Sequence, residues 1–307
     1  MNAPGDAMFI QSIPLLKYPR TPHLEGSRLQ QGDDVSPAVS LASLAGCHVV
    51  IEEKLDGANA AVSFSDAGEL RLQSRGHYLM GGGGERQFNS LKPWASAHEH
   101  RLLPLLEDRF VMYGEWTYSK HSVFYDRLPH HFNEFDLYDR VAGKFLSTER
   151  RHGLLAGSPV LSVPVLYAGP MPTNPKLLWK LVFRSLAKTR GWRQNFEAVV
   201  AREGLPLPLC WQQTDTSDRS EGLYLKIEDD ETVRGRYKLV RHDFTQTILD
   251  SGSHHARRPL IANQLADGVD LYADTPTVTW HSLGLRTVQS VEALAAMRHE
   301  DFESDRP

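Results

Sequence analysis

The stretch Glu53-Lys54-Leu55-Asp56-Gly57-Ala58-Asn59 directly follows the apolar run His48-Val49-Val50-Ile51. The apolar run predicts a strand, and the Asp-Gly pair predicts a tight turn. A lysine between strand and turn presents its amine at the end of a sheet, where a nucleotide has room to bind. Lysine is a weak nucleophile while protonated, and it becomes useful when its surroundings free the amine. The Lys-x-Asp-Gly pattern is short enough to occur by chance, so its meaning depends on the downstream sequence.

The composition is typical of a soluble globular protein. Of the 307 residues, 41% are hydrophobic and 23% are charged, and no apolar stretch reaches the ~20 residues that span a bilayer. Residues 1–7 lack the basic flank and apolar block of a signal peptide. Cys47 and Cys210 lie in apolar contexts and are expected to be reduced, which favours a cytoplasmic location. The net charge of −4 means that nucleic-acid binding would require a local basic patch.

The order of the predicted elements indicates an α+β fold. Strands are predicted at 47–53, 58–65, 69–75, 110–116, 132–139, 144–147, 221–228 and 232–241. Helices are predicted at about 90–107, 148–156, 175–189, 193–203 and 290–299. Strands cluster at both ends with helices between them, which indicates antiparallel sheets with flanking helices rather than a βαβ array. We expect one main domain over residues 1–241 and a small C-terminal extension over 242–307.

Six segments with chemically useful side chains follow one another along the chain. They are Lys54-Leu55-Asp56-Gly57-Ala58-Asn59, Ser74-Arg75-Gly76, Tyr113-Gly114-Glu115-Trp116, Glu134-Phe135-Asp136-Leu137-Tyr138-Asp139, Glu221-Gly222-Leu223-Tyr224-Leu225-Lys226 and Arg236-Tyr237-Lys238-Leu239-Val240-Arg241. In this order they resemble the covalent nucleotidyltransferase superfamily of polynucleotide ligases and capping enzymes. The closest resemblance is to ATP-dependent RNA ligases of the T4 RNA ligase 2 type. It covers about residues 45–241 and implies a nucleotidyltransferase core, similar to ATP-grasp ligases, with residues 1–241 as the adenylyltransferase domain.

The resemblance also implies roles for individual residues. Lys54 would attack the α-phosphate of ATP, with Lys226 and Lys238 as further catalytic residues. Contacts to the nucleotide are implied for Glu53, Asn59, Arg75, Glu115, Phe135, Lys226 and Lys238. Asn59 would also act on the RNA in the strand-joining step. Glu221 would hold Mg²⁺ or Mn²⁺, because a single carboxylate beside phosphates suits an ion that keeps most of its waters.

Elementary chemistry is consistent with several of these roles. Glu115 lies in an otherwise apolar strand, where a carboxylate is costly without partners such as ribose hydroxyls. Phe135 lies in an alternating run that predicts a core residue, whereas the resemblance implies stacking on adenine. Lys226 and Lys238 lie on neighbouring strands and are expected to meet the same phosphate. Their positive charge would lower the pKa of Lys54.

The last motif departs from the common family pattern, which places Lys-x-Lys there. This chain has Lys238-Leu239-Val240-Arg241. Residues three apart face opposite sides of a regular strand. Lys238 is therefore taken as a site residue, and the role of Arg241 stays open.

A basic series recurs every fourth residue on the helix predicted at 175–189. It consists of Lys176, Lys180, Arg184 and Lys188, which would form one stripe. A solvated helix face is the usual explanation of such a stripe. Four cations without an intervening acid also suit an RNA phosphate backbone, so both interpretations stay open.

The leading interpretation is an ATP-dependent RNA ligase that uses Mg²⁺ or Mn²⁺. Its partner would be RNA with 5′-phosphate and 3′-hydroxyl ends, supplied by an end-healing kinase or phosphatase. We expect a monomer without a membrane partner. A DNA ligase or capping enzyme is the alternative, but such enzymes carry a five-stranded OB-fold after the last motif. Only 66 residues follow Arg241, and their strand pattern is weak.

Three other interpretations have less support from the sequence. NAD as the AMP donor would require an additional N-terminal module, for which the first 45 residues are too short. A binding module without catalysis conflicts with the presence of Lys54, Glu115, Glu221 and Lys238. A transferase that adenylylates something other than RNA has no positive signal in the sequence.

Overall fold

A computed structural model describes residues 14–29, 37–244 and 259–298. The strands are β1 (His48–Lys54), β2 (Ala58–Phe64), β3 (Leu70–Ser74), β4 (Phe110–Trp116), β5 (Phe132–Asp139), β6 (Lys144–Phe145), β7 (Leu161–Ser162), β8 (Val165–Pro170), β9 (Gly222–Glu228) and β10 (Val233–Val240). The helices are α1 (Leu91–Ala97), α2 (Glu99–Leu106), α3 (Thr148–Leu155), α4 (Pro175–Lys180), α5 (Trp192–Arg202), α6 (Leu207–Gln212) and α7 (Val291–Ala296). Short 3-10 helices cover Leu41–Leu44 and Gly83–Phe88.

The strands form two sheets, which confirms the predicted α+β class. One sheet has the order β10-β9-β1-β8, and all its neighbouring strands are antiparallel. The other has the order β3-β2-β4-β5-β6, with β7 added in parallel beside β5. Strand β1 ends at Lys54, and the chain crosses to the second sheet at Ala58. The predicted turn therefore joins the two sheets.

Alternation along the strands gives each sheet two different faces. On β1, Val49 and Ile51 are buried in a hydrophobic core together with Leu223 and Leu225 of β9. The outer face of the second sheet packs against α1 and α2 through a separate core. The remaining two faces are directed toward each other. They carry most of the polar residues that the sequence singled out.

The predicted helix over 175–189 is wrong beyond Lys180. After α4 ends, the backbone pairs with other segments instead of with itself. Ser185 N donates to Asp218 O at 3.3 Å, and Phe183 O accepts from Ser220 N at 2.9 Å. Periodicity cannot reveal such long-range pairing. The sequence prediction also missed β8 and α6, which lie next to prolines.

The region predicted at 90–107 forms two helices, α1 and α2, separated at His98. The helix predicted near the C-terminus is confirmed as α7. Residues of the C-terminal extension pack on the main sheets, since Val288 N donates to Leu166 O at 2.9 Å.

Two further predictions concern cysteines and membrane segments. Cys47 and Cys210 are free thiols, as expected for reduced residues. Within the described ranges, no helix has the length and apolar character required to cross a membrane.

Candidate active site

The facing surfaces of the two sheets form a cleft. The first sheet contributes Glu52, Lys54, Tyr224, Lys226, Arg236 and Lys238, which strand pairing puts on one face. The second contributes Asn59, Tyr113, Glu115, Phe135 and Asp136. Contacts cross between these faces, including Lys226 to Asp136 at 3.2 Å and Arg236 to Asp136 at 3.5 Å. These residues together line the cleft.

Lys54 lies at the end of the cleft and forms an ion pair. Its Nζ is 2.7 Å from Glu221 Oε2, and a quarter of its side chain is exposed. Burial alone lowers the pKa of Lys54. The carboxylates of Glu221, Glu115 and Asp56 outweigh burial and raise this pKa above its ordinary value. The expectation that neighbouring lysines lower the pKa of Lys54 is therefore wrong, because carboxylates dominate its surroundings.

The turn after Lys54 is held by backbone contacts. Asp56 Oδ2 accepts hydrogen bonds from Ser122 N at 2.6 Å and Val123 N at 2.7 Å. At Gly57, an added Cβ would lie 2.6 Å from Trp116 O. Only glycine fits so close to the neighbouring backbone, which explains its place in the motif.

Glu115 and Asn59 lie opposite each other on β4 and β2. Glu115 Oε1 accepts from Gly57 N at 2.9 Å. Burial raises the pKa of Glu115 to about 8, although Lys54 opposes the rise. Asn59 Oδ1 is buried and lacks a hydrogen-bond partner within the described ranges. An orphaned buried acceptor is costly, so a ligand that donates to it would be stabilised here.

Phe135 owes its position to a β-bulge. Gly114 pairs with Glu134 while Tyr113 pairs with Asp136, so Phe135 is the extra residue on β5. Bulges re-aim side chains next to active sites. The Phe135 ring lies 6.4 Å from the Tyr224 ring, with 32° between their planes. Both rings are partly exposed.

Lys226 does not lie where a phosphate ligand was expected. It is fully buried and forms ion pairs with Glu52 at 3.0 Å and Asp136 at 3.2 Å. It also donates to Phe135 O. These partners use its charge within the protein, and its contact with a phosphate stays a prediction. Lys226 lies deep in the cleft, and the strand pattern does not show this depth.

Lys238 lies nearer Lys54, opposite Tyr224 on β9. Its charge lowers the pKa of Glu221, but burial is the larger influence and raises that pKa to about 7. Arg241 is buried against Asp215 and donates through Nε to Ser220 O at 2.9 Å. Arg241 therefore lies outside the cleft, where it supports the segment that leads into Glu221.

Two other nucleotide candidates have different surroundings. Glu53 is buried away from the cleft, beside Ser185 and Lys188, and burial raises its pKa to about 7. Its carboxylate therefore does not face Lys54. Arg75 follows the end of β3 and is exposed. Ser74 pairs with Ala60, so the next residue, Arg75, is level with Asn59 and lies on the same side of the cleft.

The basic series does not form one stripe, because α4 ends at Lys180. Lys176 is exposed. Lys180 donates to Ala295 O at 2.6 Å and Met297 O at 3.0 Å. Lys188 is fully buried and donates to Ser217 O at 2.8 Å, with its Nζ 4.0 Å from the Trp192 ring centroid. Arg184 lies in a segment that bridges to Arg219.

Comparison with known families identifies the kind of protein that carries this cleft. The RNA ligase family matches residues 47–240. The chain belongs to the RNA ligase family. A comparison with curated protein sequences finds no match. The T4 RNA ligase 2-like subtype stays a prediction.

Solved structures of an RNA ligase from Naegleria gruberi are similar to this chain. The ligase with PPi is 17% identical with a TM-score of 0.45, covering 75% of this chain and 61% of that one. A mutant of that ligase with ATP and Mn is 16% identical with a TM-score of 0.43, covering 75% and 62%. The present chain thus spans about three fifths of the length of those ligases.

Several cleft residues of this RNA ligase family member were missed by sequence reasoning. Tyr224 lies two residues before Lys226, and Arg236 lies two residues before Lys238. The period of two puts each pair on one face, so this signal was present in the sequence. Glu52 lies two residues before Lys54 and gave the same signal. Asp136 gave none, because its role depends on contacts between the sheets.

Glu221 remains the candidate metal ligand. Glu221 is 5% exposed, and its carboxylate contacts Lys54 in the cleft. The described part of the chain contains no group of three or more His, Cys, Asp or Glu side chains that could hold a metal ion. One carboxylate suits Mg²⁺ or Mn²⁺ bound jointly by nucleotide phosphates and water, so the donor set fits a shared ion and not a protein cage.

Proposed function

We propose that this protein is an ATP-dependent RNA ligase that seals 5′-phosphate and 3′-hydroxyl ends through a lysyl-AMP intermediate. The observation that carries the proposal is the arrangement around Lys54. Its amine lies 2.7 Å from Glu221 and under the influence of Glu115, at the end of a cleft that also contains Lys238 and the rings of Phe135 and Tyr224. This combination suits a nucleotide whose α-phosphate approaches the amine and whose base lies deeper in the cleft.

The first step forms a bond between Lys54 Nζ and the α-phosphorus of ATP. The bond from that phosphorus to the bridging oxygen breaks, and pyrophosphate leaves. Lys54 must lose a proton to solvent before it attacks, and the Glu221 carboxylate, 2.7 Å away, opposes this loss until it would be engaged by a divalent ion. Lys238 neutralises charge on the departing phosphates. Glu115 accepts hydrogen bonds from the ribose hydroxyls.

A divalent ion would be held by Glu221, and its chemistry is to stabilise negative charge on the phosphates. The chain's own contribution is to orient the reacting groups. Asp56 fixes the turn that carries Lys54 through its bonds to Ser122 N and Val123 N. Gly57 lets the turn approach β4 closely.

The later steps transfer AMP to the 5′-phosphate of RNA and then join that end to a 3′-hydroxyl with release of AMP. Asn59 acts in these steps, and its orphaned Oδ1 is available to accept a hydrogen bond from the substrate. Arg75 is exposed on the same side of the cleft and contacts RNA or nucleotide phosphate. An end-healing kinase or phosphatase would supply the required RNA ends.

The test uses ATP labelled at the α-phosphate, with magnesium and RNA substrates. Wild-type protein should retain label in a denaturing gel, and Lys54→Ala should lose it. Asn59→Ala should keep the labelled adduct but seal pre-adenylylated RNA ends poorly. Label retained by Lys54→Ala would reject Lys54 as the nucleophile. Sealing of nicks with DNA, but not RNA, on the 3′-hydroxyl side would favour a DNA ligase instead.

A further inference from the structure

The loop between β4 and β5, residues 117–131, holds the turn that follows the candidate nucleophile. Asp56 Oδ2 accepts from Ser122 N at 2.6 Å and from Val123 N at 2.7 Å. The backbone N of Asp56 donates to the Tyr125 hydroxyl at 2.8 Å. Tyr125 is fully buried, and close packing leaves its ring little freedom to move. The position of the turn therefore depends on where this loop lies.

A segment of the C-terminal extension, residues 261–266, contacts both ends of this loop. Lys120 N donates to Ile261 O at 2.8 Å near the first end. Leu128 N donates to Gln264 O at 3.0 Å near the other end. The match to the RNA ligase family ends before this segment. The extension is thus connected to the turn through this loop.

Asn263 lies in the middle of this segment and is buried. Its Nδ2 donates to Thr117 O at 2.7 Å, and its Oδ1 accepts from Tyr125 N at 2.9 Å. Its backbone N also donates to Tyr118 O at 2.8 Å. The partners require an amide side chain, because a backbone carbonyl only accepts and a backbone N–H only donates. One side chain thereby ties the start of the loop to the residue that contacts Asp56.

A second contact holds the opposite side of the loop. Asp215 N donates to Ser122 O at 2.7 Å, and the Asp215 carboxylate pairs with Arg241. The loop is therefore held through Ser122 on one side and through Tyr125 on the other, and both of these residues bond to Asp56. A shift at Tyr125 would move Asp56 and, with it, the reactive amine that lies two residues earlier in the chain.

We infer that Asn263 is a positioning residue for lysine adenylylation, acting through Tyr125 on the turn at Asp56. The inference rests on the proposed function, because it takes Lys54 as the nucleophile that attacks ATP. That attack requires the amine to lie close to the α-phosphorus and in line with the bond that breaks. Asn263 is buried in the protein, so it contributes to this alignment without touching the nucleotide. The C-terminal extension thereby takes part in catalysis.

The test measures how fast the full-length protein forms the labelled adduct in a single turnover at saturating ATP. Asn263→Leu keeps the size of the side chain but removes both polar groups, so the rate per folded molecule should fall about 10- to 100-fold. The Kd of an ATP analogue with an α,β-methylene bridge, measured by calorimetry, should stay near the wild-type value, because binding needs no attack by Lys54. Asn174→Leu, which removes the N-cap of α4, is the control for lost stability and should leave the rate unchanged.

A double-mutant cycle tests the route through Tyr125. Tyr125→Phe removes only the hydroxyl that accepts from Asp56 N and should lower the rate about 2- to 10-fold. Tyr167→Phe is its matched control, because the Tyr167 hydroxyl is bonded to Pro170 O instead, and it should leave the rate unchanged. Combined with Asn263→Leu, Tyr125→Phe should cause no further loss, because Asn263→Leu has already displaced the hydroxyl. Where Asn263→Leu does not fold, Asn263→Ala takes its place, since water can then fill the space and bond to the two backbone groups.

The outcomes also separate this inference from the proposed function. Wild-type protein that forms no adduct would overturn both. Adduct formation that is equally fast in wild type and the Asn263 variants would overturn the inference and leave the proposed ligase intact. Losses that add in the double variant, or analogue binding that weakens as much as the rate falls, would show a general structural effect and also overturn the inference.

Discussion

Two opposing influences act on the amine of Lys54. Burial lowers its pKa, and the neighbouring carboxylates raise it. The amine lies beside carboxylates from different parts of the fold, with Glu221 directly before β9 and Glu115 on β4. These carboxylates hold the ammonium form, which is not nucleophilic. Catalysis would therefore require that the charge around Lys54 change when a nucleotide and its metal ion bind. The ion pair keeps Lys54 protonated until then.

A charge change at Glu221 should alter the titration of Lys54. Glu221→Gln removes the largest influence that raises the pKa of Lys54, so this pKa should fall. The free amine should then appear at lower pH than in wild type. Competitive labelling with acetic anhydride, read by mass spectrometry of the Lys54 peptide across pH 7–12, measures this. Glu69→Gln, at an exposed carboxylate, is the control. Superimposable curves for wild type and Glu221→Gln would contradict the assignment.

The sequence predicted which residues lie in the cleft better than it predicted their burial and their ion-pair partners. Lys54, Glu115, Glu221 and Lys238 come together as the motif order predicts. Lys226 could not be separated from Lys238 in advance, because both point from neighbouring strands to one face. What separates them is depth, since Asp136 from the other sheet reaches Lys226.

At the scale of elements, α4 shows that a basic residue in a regular pattern can stabilise the fold instead of binding a ligand. Its last residue, Lys180, donates to the final carbonyls of α7, including Ala295 O and Met297 O. A cation at these carbonyls complements the helix dipole. The chain after α4 then pairs with the 218–220 segment instead of continuing as a helix. Local periodicity predicted the helix start but could not predict this competing pairing.

The contrast between Lys176 and Lys180 is testable. Lys180→Met should destabilise the protein by about 1–2 kcal/mol, because the last carbonyls of α7 lose a charged donor. Lys176→Met removes the same charge from an exposed position of the same helix and should change stability by less than about 0.5 kcal/mol. Urea unfolding measures both. Equal stability of the two variants, with equal losses of RNA affinity, would instead assign Lys176 and Lys180 to an RNA contact.

At the scale of the whole molecule, a buried set of charges joins the two sheets. Arg151 of α3 pairs with Glu134 at 2.8 Å and also with Glu52. Lys226 pairs with Glu52 and Asp136. All five side chains are buried, so each charge depends on its partners for the loss of water. The sequence predicted the two groups of strands but not this connection, which forms only after the sheets meet.

Lys226 and Lys238 should therefore respond in opposite ways to substitution. Lys226→Met leaves the buried carboxylates Glu52 and Asp136 with too little positive charge. It should lower the free energy of unfolding by about 3–5 kcal/mol, the usual result of breaking a buried pair. Lys238→Met is the matched comparison, because Lys238 is partly exposed. It should weaken tripolyphosphate binding while changing stability little.

Urea unfolding and calorimetric titration with tripolyphosphate, both on the full-length variants, separate the two lysines. For Lys226→Met, the protein that remains folded should bind tripolyphosphate with nearly wild-type affinity, because Lys226 lies beneath Phe135 and away from the Lys54 end of the cleft. Unchanged stability combined with lost tripolyphosphate binding in Lys226→Met would return Lys226 to the phosphate site. Lost stability with retained binding would make Lys226 the residue that holds the two sheets in register for catalysis at Lys54.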